Sequence, residues 1–340
     1  NLLSMFISRI SIILFIFLFT QCSENCINLD VDIENQDVDL QYFQFEKELF
    51  SSKMQNLAKH HFLLEKYKRL YALFYAEMLN EGNPYSEKAP NRLQQFIEHP
   101  STQQISSSVF EQFNDFSTYQ NKIESAFKHF NYYFPDSSLP SITTMYTNFN
   151  ANTIEVDNTI AIGLEMYLGE KNTIIQSLPS DYFPQFVKQK MNPNFLVSDV
   201  IHCVLHNRFH QQLGEDFLSE IVSLGKISYL IEVMTPEDDK NLKFRYSNDE
   251  LAWCQQNEKN IWETVVNQNL LYSKDKKQLN HFISTAPFTK GLPKESPSGV
   301  GIWLGYRIVK DYVEKNCVDV KALINEKNVK NILKSYNPNE

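Results

Sequence analysis

The sequence predicts an α+β fold that is predominantly helical and carries one small antiparallel sheet. Long stretches repeat apolar residues at helical spacing, and three short segments between residues 142 and 163 have the composition and turn residues of strands. Only 9 of the 340 residues are glycine, and neither G-x-G-x-x-G nor a Walker pattern occurs, which argues against a glycine-rich phosphate loop. Hydrophobic residues make up 42% of the chain, enough to build a core.

The N-terminal segment has the features of a signal peptide. Residues 10–19 read I-S-I-I-L-F-I-F-L-F, follow Arg9 and contain no charge. A membrane-spanning helix needs roughly 18 or more apolar residues, and this run is shorter. We therefore predict that residues 1–21 are removed during export.

Cys22 stands directly after this apolar core, where a lipoprotein signal peptidase would leave it as the new N-terminus. Acyl chains on Cys22 would then hold the protein at a membrane, because several chains anchor durably where one binds only marginally. The predicted organisation is a lipidated tether over residues 22–37, followed by a single domain over residues 38–340. The alternative is a soluble periplasmic protein with a Cys22–Cys26 disulfide.

Charge and cysteine content argue against two further classes of protein. The formal net charge of −9 makes nucleic acid an unfavourable partner. The remaining cysteines, Cys26, Cys203, Cys254 and Cys317, are widely spaced and form no C-x-x-C pair. We predict that they are core or idle thiols and form neither a disulfide framework nor a zinc-thiolate cluster.

Two helices are predicted before the sheet. Apolar residues recur at helical spacing over residues 54–79, and Glu65, Lys66, Lys68 and Arg69 lie on the predicted solvated side. A second helix over about residues 119–133 is stopped by the sequence F-P-D.

Strand signals then occur at residues 142–147, 153–156 and 159–163, separated by Asn- and Asp-rich turns. These short connections predict a small antiparallel sheet. From residue 185 onward the pattern is helical again, over residues 196–213, 216–234, 248–267, 276–284 and 299–316.

The helix predicted over residues 196–213 carries a ridge of three histidines. Ser198 or Asp199 is its predicted N-cap and Gly214 its C′ residue. The predicted buried stripe consists of Val197, Ile201, Leu205, Phe209 and Leu213. His202, His206 and His210 follow beside it, each roughly 40° round the helix from the last.

His202 and His206 have the i, i+4 spacing of the zinc ligands in H-E-x-x-H peptidases, where the glutamate acts on metal-bound water. Here Cys203 occupies the glutamate's position, and a thiol does not perform that role at neutral pH. We therefore predict no catalytic residues and no cofactor, with the histidines packing against aromatic neighbours. The alternative is a zinc site at His202 and His206 in a degenerate hydrolase.

Other candidate side chains are predicted to be structural. Glu165 and Glu170 bracket M-Y-L-G, and a carboxylate pair at this spacing is usually exposed. Trp253, Trp262 and Trp303 are predicted to anchor helix packing. A further alternative, capture of a peptide or glycan through an aromatic surface, requires a deep pocket near these tryptophans.

Six blocks, read in order, resemble the gliding motility lipoprotein GldB family of Bacteroidetes. They are H-F-N-Y-Y-F-P (129–135), T-I-A-I-G-L-E-M-Y-L-G (159–169), E-L-A-W-C-Q-Q-N-E-K-N-I-W (250–262), L-L-Y-S (270–273), F-T-K-G-L-P-K-E-S-P (288–297) and G-I-W-L-G-Y-R-I-V (301–309). The resemblance covers about residues 38–335, and the lipoprotein-like N-terminus agrees with it.

The resemblance implies a zincin-like domain, in which the helix after the histidine helix supplies a glutamate before a glycine as third zinc ligand. In this chain Leu224 precedes Gly225 at that position, and Glu220, one turn earlier, is a candidate substitute ligand. The resemblance further implies a non-catalytic, periplasm-facing lipoprotein of the cell envelope. Its implied partners are other proteins of the gliding machinery or the associated type IX secretion apparatus.

Overall fold

The computed structural model describes residues 27–54 and 56–338. The predicted signal peptide, Cys22 and Cys26 lie outside these residues. Residues 27–37 lie against the domain, since Ile27 and Leu29 pack on its main core. The Tyr133 hydroxyl donates to the Asn28 carbonyl at 2.5 Å, and the Asn131 amide donates to the Gln36 side chain at 2.9 Å.

Before the second strand, the described residues form one short strand and five α-helices. They are β1 (Tyr42–Gln44), α1 (Phe45–Leu49), α2 (Asn56–Leu73), α3 (Ala89–Glu98), α4 (Pro100–Gln112) and α5 (Ser117–Tyr133). A π-helical turn, Phe74–Met78, continues α2. The helices predicted over residues 54–79 and 119–133 are therefore confirmed, whereas α3 and α4, each with a proline in its first turn, were not predicted.

The remaining elements complete the sheet and add ten helices in the described part of the chain. They are β2 (Ser141–Met145), β3 (Thr153–Val156), β4 (Thr159–Gly163), α6 (Thr173–Ser177), α7 (Gln185–Lys188), α8 (Leu196–Phe209), α9 (Phe217–Met234), α10 (Asn248–Gln256), α11 (Glu258–Asn267), α12 (Lys276–Ile283), α13 (Val300–Asn316), α14 (Val320–Asn325) and α15 (Val329–Leu333). The single helix predicted over 248–267 is two helices that meet at Asn257. The predominantly helical α+β class is confirmed.

The sheet is mixed, so the prediction of an antiparallel sheet is wrong. Its strand order is β1-β2-β4-β3, in which β1–β2 and β2–β4 are parallel and only β3–β4 is antiparallel. The register places Phe43 opposite Thr143. Local turns could not reveal this pairing, because parallel neighbours require long crossovers that bring distant segments together.

The sheet separates two hydrophobic cores. Ile142 and Ile160 lie in the larger core, which α5, α8, α9 and α13 complete. Met145 and Ala161, on the other face, lie in a smaller core with aromatic residues of α1 and α2. Both faces are thus covered, as expected for strands that pair in parallel.

Helix α2 is interrupted at Lys68, whose φ of 45° and ψ of −115° are not helical. A non-glycine residue with positive φ inside a helix is strained and persists only where surrounding contacts hold it. Glu65, Lys66, Lys68 and Arg69 are exposed as predicted. Lys66 also pairs with Glu48 at 2.5 Å.

Helices α9 and α13 touch along their backbones at two glycines. A Cβ on Gly305 would lie 1.7 Å from the Ile221 carbonyl oxygen, and one on Gly225 would lie 2.2 Å from the Gly305 carbonyl carbon. Such close approach brings two long apolar helices together at the centre of the larger core. Only glycine fits at either position.

Two further observations concern membrane-spanning helices and the cysteines. None of the described helices is long and apolar enough to span a bilayer. Cys203 and Cys254 are free, but Cys317 is disulfide-bonded, so the prediction that Cys317 is an idle thiol is wrong. Sequence spacing could not show this bond, because disulfide pairing depends on which segments the fold brings together.

We expect Gly305→Ala to destabilise the protein strongly. The methyl group has no space against the α9 backbone, and such overpacking costs about 3 kcal/mol or more. Denaturant unfolding followed by circular dichroism measures the loss.

Gly82→Ala is the matched control, because open space surrounds Gly82 and only its positive φ opposes a side chain. That strain should cost about 1 kcal/mol. Equal losses in the two variants would contradict the proposed close contact.

Candidate functional site

Helix α8 supplies the centre of the candidate site. It begins at Leu196, so Ser198 and Asp199 lie in its first turn. The prediction that one of these two residues is the N-cap is therefore wrong. It ends at Phe209 instead of near Gly214, because the His210 backbone is extended with φ −63° and ψ 127°. The histidine segment is therefore shorter than predicted.

The predicted buried stripe is confirmed over most of its length. Val197, Ile201 and Leu205 are buried, and Phe209 packs against the core as a partly buried side chain. Phe209 stacks on Phe134 with 4.6 Å between ring centroids. These contacts fix the rotation of α8 and so fix where its histidines lie.

The three histidines form a continuous stack. The ring centroids of His202 and His206 are 5.5 Å apart with 27° between planes, and those of His206 and His210 are 4.5 Å apart with 19° between planes. The stack extends beyond the helix, since His210 is its C-cap.

Glu220, the predicted substitute ligand, lies near this stack, with its Oε1 4.0 Å from Nε2 of His210. Within residues 27–54 and 56–338, no group of three or more His, Cys, Asp or Glu side chains is arranged to hold a metal ion. Leu224 lies on α9, where the resemblance would require a glutamate. The zinc alternative stays a prediction.

Cys203 is a half-buried free thiol. Burial raises its pKa to about 11, so it is protonated at neutral pH. The Asn207 side chain approaches its sulfur at 3.8 Å. A protonated thiol neither accepts a proton from water nor attacks a substrate readily, so Cys203 cannot replace the missing glutamate.

A cavity of 430 Å³ opens beside His202. Its walls come from α8, α9, the turn before β3, the segment 243–246 and the start of α13. Among the lining residues are Asn152, Thr153, Ser198, Asp199, His202, Leu224, Ser228, Lys243, Arg245 and Ile302. Of the three stacked histidines, His202 alone lines this cavity. The volume of the cavity is in the range of small-ligand sites.

Asp199 is held by two partners at the cavity wall. The Tyr167 hydroxyl donates to its Oδ2 at 2.7 Å, and the Arg245 guanidinium donates to the same oxygen. Burial opposes the charge on Arg245, but the Asp199 carboxylate outweighs it and raises the pKa of Arg245. The Asp199–Arg245 pair is neutral overall and forms part of the cavity wall.

The network continues through Lys190. The Arg245 guanidinium donates to the Lys190 carbonyl at 2.6 Å, and the Lys190 ammonium donates to the Arg245 carbonyl at 2.8 Å and to Glu250 at 2.7 Å. Arg245 itself has a left-handed φ of 57°. Sequence reasoning missed these residues, because 46 positions separate Asp199 from Arg245 and no local motif connects them.

A second buried network lies behind Lys243. Glu232 accepts from the Lys243 ammonium and from the Tyr306 hydroxyl, and Lys310 lies 3.6 Å from its second oxygen. Burial lowers the pKa of Lys243 to about 8. Ion pairing therefore satisfies the charges that the fold buries on this side of the cavity.

Glu165 is fully buried, so the prediction that it is exposed is wrong. Its Oε1 accepts from the Thr147 amide at 2.7 Å, the Thr147 hydroxyl at 2.5 Å and the Phe149 amide at 3.0 Å. Burial raises the pKa of Glu165. The carboxyl group thereby fixes the turn between β2 and β3, which leads to Asn152 on the cavity wall.

The tryptophans lie away from this cavity. Trp303 is 1% exposed and packs in the larger core, and Trp262 packs edge-on against Tyr336 with 5.0 Å between centroids. Trp303 also lines a pocket of 240 Å³ together with Tyr306 and Arg307. No tryptophan lines the cavity of 430 Å³, which gives the aromatic-capture alternative no support there.

Comparison with known proteins identifies a family. A family model described as "Gliding motility protein GldB" matches residues 27–338. No curated protein and no solved structure matches the chain.

The histidine stack should make stability depend on pH. Burial lowers the pKa of His202 and His206 below the ordinary value of 6.5. As pH falls through 6.5, the unfolded chain therefore binds protons that the folded chain does not, and the folded state loses stability. We expect a lower urea midpoint at pH 5 than at pH 7.

His202→Asn combined with His206→Asn should reduce this difference between the two midpoints. Gln268→Ala, an exposed and non-titrating position, is the control and should leave it unchanged. A double variant with the full pH dependence would show that other groups cause it.

Proposed function

The chain belongs to the gliding motility protein GldB family, and from this premise we propose that it is a lipid-anchored, non-catalytic lipoprotein of the cell envelope. It would support the assembly or function of the gliding machinery or the associated type IX secretion apparatus. Its partners would be other proteins of that machinery. Its attachment to the membrane would be the acyl chains on Cys22.

The proposal that the protein is non-catalytic is supported by the residues that α8 and α9 place at the positions of a catalytic base and a third zinc ligand. His202 and His206 keep the spacing of a zinc site, but Cys203 is a protonated thiol and the imidazoles are stacked. Leu224 stands where a third ligand is required. Water activation at such a site would lack both its base and part of its metal cage.

Two observations support anchoring in an exported compartment. A disulfide at Cys317 is typical of proteins outside the reducing cytosol. Ile27 already packs on the domain, and five residues beyond Cys22 reach at most about 17 Å. The proposed anchor would therefore keep the domain close to the bilayer.

Cys22→Ala in the native cells should move the protein from the membrane fraction to the soluble periplasmic fraction and abolish spreading on agar. The reason is that the proposed lipid on Cys22 would hold the protein at the membrane. Ser23→Ala is the matched control and should remain in the membrane with normal spreading. Normal spreading of a gene-deletion strain would contradict the proposed role in gliding.

Peptide mapping without reduction tests the same proposal by a second route. A thioether uses the sulfur of Cys22, so in the lipidated protein Cys22 is not available for the disulfide at Cys317. A recovered Cys22–Cys317 peptide would rule out lipidation at Cys22.

The alternative function is a zinc-dependent hydrolase with a degenerate zincin-like site. The one observation that favours it is that His202 lines the 430 Å³ cavity and is neutral at pH 7, because burial lowers its pKa to about 4. This function requires about one equivalent of bound zinc in the purified protein, lost in His202→Ala. Metal analysis that finds no zinc in protein prepared without chelator would exclude it.

A further inference from the structure

The cavity beside His202 has a wall that is largely aliphatic. Its volume is 430 Å³, and its aliphatic lining residues are Met166, Val187, Met191, Leu224, Ile283 and Ile302. Unbranched methionine side chains adapt their shape to what lies against them. Water gains few hydrogen bonds beside such a wall, so a ligand with an apolar body is favoured to replace it.

A ligand can reach this wall from solvent. Ser284 and Thr285, which follow α12, are exposed and line the cavity, so the cavity opens at the end of that helix. Leu224, Ile283 and Ile302 are only half-buried, although they belong to helices that pack in the larger core. Part of the aliphatic surface is therefore left uncovered by the protein itself.

The charged side chains that line the cavity are each paired with another charge of the protein. The ion pairs are Asp199–Arg245, Lys190–Glu250 and Lys243–Glu232. His202 adds no charge at pH 7, because burial lowers its pKa to about 4. A charged ligand would lose its hydration here without meeting an unpaired counter-charge. The wall therefore favours an uncharged ligand.

His202 is the polar group that is left to bind such a ligand. Neither of its ring nitrogens has a hydrogen-bond partner among the described residues, and its ring stacks on that of His206 with 5.5 Å between centroids. A neutral imidazole offers one N–H donor and one acceptor nitrogen. A hydroxyl group, which both donates and accepts, can pair with either nitrogen.

We propose that the cavity beside His202 binds an uncharged aliphatic alcohol. Its chain lies against Leu224, Ile283 and Ile302, and its hydroxyl group bonds to an imidazole nitrogen of His202. This inference goes beyond the role proposed in the gliding machinery and does not depend on it.

The test compares three probes that share one chain and differ in charge: octan-1-ol, octanoate and octylammonium. They are titrated into the purified Cys22→Ala protein, so that no detergent competes for the cavity, and binding is followed by NMR. We expect octan-1-ol to shift the methyl resonances of Leu224 and Ile302, and the two ions to bind roughly tenfold more weakly or less. Equal or tighter binding of either ion, or unshifted Leu224 and Ile302 methyl groups, would overturn the proposal.

Two variants locate the site. Leu224→Trp should abolish octan-1-ol binding, because the larger side chain fills the cavity. Leu57→Trp is the matched control, since Leu57 lies on α2 and is 56% exposed, and it should bind as the unchanged protein does.

His202→Phe keeps a flat ring in the stack and removes both nitrogens, so it tests the hydrogen bond without depending on the fold of Leu224→Trp. It should weaken octan-1-ol binding roughly fivefold, the effect of one hydrogen bond between neutral groups. Undiminished binding in His202→Phe, or in a folded Leu224→Trp protein, would refute the assignment.

Treatment with a chelator separates this site from the zinc alternative. Octan-1-ol should bind equally well before and after dialysis of the protein against EDTA. Binding that disappears with removal of a metal would contradict the proposal and favour a zinc site at His202.

Discussion

The backbone contact between α9 and α13 is the constraint on which the larger core depends. Gly225 and Gly305 allow the two helices to approach until only a hydrogen atom fits between them. Because α9 carries Leu224 and Ser228 and α13 carries Ile302, this contact also sets the width of the cavity beside His202. Helix α8 then packs on α9, so the position of the histidine stack follows from the same contact.

In the cavity walls, the free energy lost by removing charged groups from water is offset by ion pairs and hydrogen bonds. Asp199 with Arg245, and Glu232 with Lys243, form buried pairs whose remaining atoms bond to tyrosine hydroxyls or backbone carbonyls. Buried pairs of this kind add little net stability, but they restrict the side chains of the cavity wall to few conformations. A shaped cavity whose wall charges are paired is suited to holding a small ligand.

The mixed sheet separates the two hydrophobic cores of the molecule. The histidine stack and its cavity lie on the side of the face that packs against α8, and the smaller core lies on the face covered by α2. Thr143, Met145 and Ala161 share the second face because side chains alternate along a strand. A polar threonine among these apolar neighbours stands out only once the register is known, since its strand reads from sequence as an ordinary buried segment.

The sequence by itself determined the elements whose signal is local. The helical spacing in α2, α5, α8, α9 and α13, the strands β3 and β4, the histidine ridge and the position of Cys203 directly after its first histidine could all be read from it. Tertiary structure alone decided what depends on distant pairing: the parallel register of β1 with β2, the burial of Glu165, the Asp199–Arg245 pair, the disulfide at Cys317 and the break at Lys68. The physical reason is that periodicity reports which face of an element is buried, whereas the partner it meets there is set by how the whole chain packs.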